Sequence, residues 1–97
     1  MRSEKVPFRR TLFVCTHSRP EGERASCGNP GRGGVETLAA LKEAAEKAGL
    51  KGKVRIARSG CLDLCEKGPN AFLYPDGEWL SGLTPADAES VVRKLTP

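Results

Sequence analysis

Two short apolar runs joined by one amphipathic stretch limit what this chain can fold into. Thr11-Leu12-Phe13-Val14-Cys15 is β-branched and aromatic, and reads as a buried strand ending on a thiol. Val54-Arg55-Ile56-Ala57 alternates like a second strand. Between them, Val35, Leu38, Leu41, Ala45 and Ala48 recur at three- and four-residue steps, with Glu36, Lys42, Glu43, Glu46 and Lys47 on the other side. That periodicity predicts a helix over 35–48 with those apolar residues as its buried stripe. Glu43 and Lys47 are placed for a four-residue ion pair, and Gly49 stands where a left-handed residue closes a helix. Strand, helix and strand in succession make a βαβ unit, so the strands lie parallel with a right-handed crossover.

The remainder supplies antiparallel partners. Ala71-Phe72-Leu73-Tyr74 and Glu78-Trp79-Leu80-Ser81 flank Pro75-Asp76-Gly77, which has the residues of a hairpin turn. Thr84-Pro85-Ala86-Asp87 opens a last helix, with Thr84 as its cap and Ala88, Val91, Val92 and Leu95 as its buried stripe. The order βαβ–ββα gives an α/β fold, a four-stranded mixed sheet with helical cover, which is the minimal thioredoxin-like arrangement. Ninety-seven residues fit one such domain, 1–97, with 1–10 as an N-terminal extension. Tyr74 and Trp79 are expected in the core of the hairpin face.

One segment fits no element. Thr16 to Gly34 holds two prolines, five glycines and three arginines, and reads as a long loop. Loops beyond ~12–15 residues are uncommon in compact domains and are usually functional or mobile. Cys27 sits inside it. Eleven residues separate Cys15 from Cys27, thirty-three separate Cys27 from Cys61, and three separate Cys61 from Cys65. Adjacent parallel strands end on the same side of a sheet, so Cys15 and the Gly60-Cys61-Leu62-Asp63-Leu64-Cys65 loop converge, with Cys27 folding over them. Four convergent thiolates suit zinc or an iron–sulfur centre. Structural zinc sites usually show two close cysteine pairs, and only Cys61 and Cys65 make one here. A redox dithiol wants two residues between its thiols, a spacing this sequence lacks. Inert core cysteines would not sit beside Gly28, Asn29-Pro30 and Gly60.

Other classes find less support. The 16 basic and 12 acidic residues give a formal charge of +4 but are interspersed, with no block of five like charges. The five aromatic residues leave little for base stacking, so nucleic acid is not expected as a partner. No 18-residue apolar run predicts a membrane span, and the basic stretch Met1 to Arg10 lacks the apolar core of a secretory signal. A cytoplasmic location follows as the expectation, and in a reducing cytosol cysteines serve metals more often than disulfides. His17 is a single histidine, whereas a Rieske centre needs two. The glycines of 28–34 lack the Gly-Lys-Ser/Thr ending of a phosphate loop. No paired carboxylates or nucleophile–base set suggests an enzyme.

Phe13-Val14-Cys15, Ser26-Cys27, Gly60-Cys61 with Cys65, Gly68-Pro69, and Tyr74-Pro75-Asp76-Gly77 with Trp79 together resemble the thioredoxin-like 2Fe–2S ferredoxins, the Shethna type. The similarity runs over about Thr11 to Leu95. It implies one 2Fe–2S cluster per chain, with Cys15, Cys27, Cys61 and Cys65 as metal ligands, and a one-electron carrier between a reductase and an acceptor protein. An oxidised cluster with four thiolates carries −2, so the formal +4 falls to about +2, and to about +1 on reduction. Many ferredoxins are acidic, so an acidic docking face is not carried over to this chain. Relatives of this kind are often homodimers. A redox-sensing protective or regulatory binding protein is the alternative the same resemblance offers. A thiol–disulfide oxidoreductase and a zinc-binding domain stand behind it.

Overall fold

Arg10–Cys15 forms β1, the strand from which the rest of the sheet is built. The chain continues through α1 (Gly34–Lys47), β2 (Val54–Ser59), β3 (Ala71–Tyr74), β4 (Glu78–Leu80), a 3₁₀ turn over Pro85–Asp87 and α2 (Ala88–Leu95). The computed structural model describes residues 1–17, 33–50, 52–60 and 68–96. The strands stand in the order β2-β1-β3-β4. β1 is parallel to β2 and antiparallel to β3, and β3 and β4 form the expected hairpin. The mixed sheet of a βαβ–ββα chain is therefore present. Strand ends differ slightly from the periodicity: β1 starts at Arg10, β2 runs on to Ser59, and β4 stops at Leu80 rather than Ser81.

Strand alternation divides the residues between two faces. Leu12 and Val14, Val54 and Ile56, and Ala71 and Leu73 point to one side, where they join Leu41, Ala45, Val91, Val92 and Leu95 in a single core. Both helices serve that face. α2 buries the expected stripe of Ala88, Val91, Val92 and Leu95. α1 is rotated from expectation: its buried residues are Gly34, Thr37, Leu41 and Ala45, while Val35 is 52% exposed and Ala48 is exposed. Three- and four-residue spacing allows two neighbouring stripes on one helix. Packing buries the one that runs through Gly34 and Thr37 into Leu41 and Ala45.

Among the described residues, the opposite face carries no helix. Across it, Ala57, Phe13, Phe72 and Trp79 lie in one cross-strand row. The Phe13 and Phe72 rings stack with centroids 6.4 Å apart. Tyr74 and Trp79, expected in the core, are instead 45% and 39% exposed. Alternation explains this: Leu73 and Leu80 face the helices, so their neighbours must face outward.

The helix ends follow local chemistry. After α1, the Gly49 N–H donates to Glu46 O at 3.0 Å and the Leu50 N–H to Ala45 O at 3.1 Å. This is a Schellman closure, and Gly49 supplies its left-handed residue with φ of 73°. Before α2, the Thr84 N–H donates to Asp87 Oδ2 at 2.9 Å, and the Asp87 N–H returns a bond to Thr84 O at 2.9 Å. Thr84 thus caps the 3₁₀ turn, and regular α2 begins only at Ala88. The Glu43–Lys47 pair forms at 3.0 Å with both partners well exposed, so it adds little stability.

Candidate metal centre

Cys15 closes β1 and is 1% exposed. Its N–H donates to Asn70 O at 3.0 Å, which extends the β1–β3 ladder one pair past Val14–Ala71. On its other side Cys15 is in register with Ser59, the last residue of β2. The Thr16 N–H reaches Ser59 O at 3.4 Å, and the Ser59 hydroxyl donates to Gly60 O at 3.0 Å. The chain thus leaves β2 through Gly60 beside the Cys15 end of the sheet, and Cys61 is the next residue. Cys27, Cys61 and Cys65 lie outside the described residues, as do Gly28, Leu62 and Asp63 beside them.

The βαβ connection brings a third element to the same end. α1 packs back along two parallel strands, so its N-terminus lies where the strands finish. Carboxyl ends of parallel strands are where ligands of open α/β sheets bind. Gly33, with φ of 88°, precedes α1, and a Cβ built on it would stand 3.7 Å from Pro69 Cγ. Pro69 follows a cis peptide bond from Gly68 and leads directly into Asn70. The start of α1, the Gly68-Pro69-Asn70 segment and Cys15 are therefore neighbours. Among the described residues, no side chain caps the N-terminus of α1. The N–H groups of its first turn and the positive end of the helix dipole favour a negative group. Thr37, one turn in and 1% exposed, has a hydroxyl with no hydrogen-bond partner among the described residues.

Two participants at this end escape a reading by motif. Asn70 is a polar residue 1% exposed, and its Oδ1 accepts the indole N–H of Trp79 at 3.3 Å. The only sequence signal is an asparagine set between Gly68-Pro69 and the apolar run Ala71–Tyr74, where a fifth apolar residue would be natural. The second is the start of α1, which no described side chain caps and which carries no residue pattern of its own. The Cys15 thiol is free of any disulfide. A buried, disulfide-free thiol at this end of the sheet is suited to thiolate ligation of a metal centre.

No protein-family model matches the chain. Over 85 residues it is 34% identical to a 2Fe–2S ferredoxin of Aquifex aeolicus strain VF5, an overlap of 86% of this chain and 75% of that protein. A 2Fe–2S ferredoxin of Clostridium pasteurianum is 30% identical over 82 residues, covering 84% of this chain and 78% of the relative. The crystal structure of the wild-type thioredoxin-like 2Fe–2S ferredoxin of Aquifex aeolicus matches the fold with a TM-score of 0.81 and 33% identity, over 92% of this chain and 85% of that one. The chain belongs to the thioredoxin-like 2Fe–2S ferredoxins. A cysteine-to-serine variant of the Aquifex ferredoxin gives a TM-score of 0.80 at 32% identity, over 88% of this chain and 84% of the other. The thioredoxin-like fold expected from the order of the elements is thus the one observed. Among the described residues, no helix of this ferredoxin is long and apolar enough to cross a membrane.

Proposed function

We propose that this ferredoxin carries single electrons between a reductase and an acceptor protein on one 2Fe–2S cluster held by Cys15, Cys27, Cys61 and Cys65. The observation that carries the reading is the position of Cys15: buried, disulfide-free, and in register with the strand that runs through Gly60 into Cys61. When bound, such a cluster would supply one-electron redox chemistry, with the four cysteine thiolates as its ligands. The chain's own residues set the conditions. Cys15 is supported on both sides, by Asn70 of the β3 side and by Ser59 of β2, which limits reorganisation when charge arrives. The start of α1, which no described side chain caps, directs backbone N–H groups toward the same end of the sheet, where added negative charge is best tolerated. No substrate chemistry of the chain's own is required.

Anaerobically purified protein is expected to be reddish-brown, with about two irons and two sulfides per chain as this cluster type requires, and to bleach with dithionite. Colourless protein holding one zinc would overturn the assignment. The redox-sensing alternative predicts a stable protein complex formed only in the oxidised state. The carrier reading predicts rapid exchange with a reductase in both states.

A further inference from the structure

Cys15 and Asn70 stand directly opposite one another in the extended β1–β3 ladder, and so share a face of the sheet with Phe13 and Phe72. Side chains so opposed have Cβ atoms roughly 4.5–5.5 Å apart. Trp79 is on the same face of the next strand, opposite Phe72 and diagonal to Asn70, close enough for its ring to reach back. Its Nε1 is 3.3 Å from Asn70 Oδ1. An indole N–H can only donate, so the amide atom facing it must be the oxygen. That contact settles which way round the Asn70 amide lies. The oxygen is turned toward β4, and the N–H₂ group is therefore turned from Trp79, with β1 and the Cys15 end of the sheet on the other side of β3. A carboxamide that is 1% exposed is not placed there for solvation.

We propose that Asn70 directs its amide N–H₂ at the sulfur-bearing site, and that Trp79 is the positioning residue that fixes this orientation. The proposal rests on the ferredoxin reading above. Hydrogen bonds to the sulfurs of an iron–sulfur centre draw charge from them and favour the reduced state. Asn70 and Trp79 would then set the reduction potential from the open face of the sheet, as the α1 N-terminus does from the helical side.

The test is the reduction potential of holo protein, measured by optical titration for wild type, Asn70→Leu, Trp79→Phe and the double variant. Asn70→Leu removes the amide at similar volume, and Trp79→Phe removes only the indole donor while keeping an aromatic ring. Asn70→Leu is expected to move the potential to a more negative value, and Trp79→Phe to move it the same way by less. In the Asn70→Leu background, Trp79→Phe is expected to add nothing, because the amide it orients is gone. Potentials equal to wild type, a shift to more positive values, or two shifts that simply add would each overturn the proposal, whatever the variants do to melting temperature. If Asn70→Leu fails to retain its cluster, the Trp79→Phe potential decides alone, since that chain keeps every cysteine and Asn70. Wild-type protein that binds no 2Fe–2S cluster would instead overturn the ferredoxin reading itself, and this inference with it.

Discussion

Cys15 and Cys27 lie in very different stretches of sequence. Cys15 is the last residue of a strand paired on both sides, and a serine there leaves the oxygen fixed where sulfur stood. Around Cys27 the sequence offers glycines, a proline and no apolar period to fix the backbone. Cys27→Ser should therefore be the mildest of the ligand losses, with iron and sulfide per chain higher than in Cys15→Ser or Cys61→Ser. Iron and acid-labile sulfide analysis of the three variants, prepared together, checks the order. Loss of the cluster from Cys27→Ser with retention in Cys61→Ser would contradict it. Core residues behave differently. Leu41 is fully buried between α1 and the sheet, so Leu41→Ala should lower unfolding free energy by about 2–5 kcal/mol, read from urea midpoints.

Helix and strand identities were legible because each element repeats its apolar residues at its own period, and the two halves connect in only one simple way. The rotation of α1 was not, since Val35 and Ala48 satisfy the same spacing as Gly34 and Thr37 do in three dimensions. Which stripe is buried depends on what the helix meets. The exposure of Tyr74 and Trp79 was hidden for a related reason: a hairpin sequence does not reveal that both helices lie on one face. At the candidate centre, cysteine spacing and resemblance pointed to a cluster. Asn70 became visible only once register set it opposite Cys15 and diagonal to Trp79. Closing residues, by contrast, are local and were readable. Gly49 has φ of 73°, and a Cβ added there would meet nothing within 4 Å, so Gly49→Ala suffers backbone strain alone. It should cost about 1–2 kcal/mol in a urea titration and leave the visible spectrum unchanged. A spectral change would mean that strain at this end of α1 reaches the other end, across a helix of 14 residues.

For the molecule as a whole, charge decides how partners approach. The formal +4 and a cluster contribution of −2 leave about +2 in the oxidised protein, so the chain remains mildly basic while its redox centre is a local negative spot. Long-range attraction then favours an acidic partner, and it acts mostly on the rate of encounter. Arg58 is exposed on β2, three residues before Cys61, and is the described cation nearest in sequence to that cysteine. Electron transfer from this ferredoxin to an acidic acceptor protein should slow as ionic strength rises from ~0.01 to ~0.15 M, over which the Debye length falls from about 30 to 8 Å. Arg58→Glu should lower the low-salt rate and flatten that dependence. Reduction by a small uncharged donor should be the same for both proteins. Stopped-flow measurement of both reactions separates the two outcomes. A rate that climbs with salt for the wild type would mean that the negative centre, rather than the basic chain around it, governs docking, and the preferred partner would then be basic.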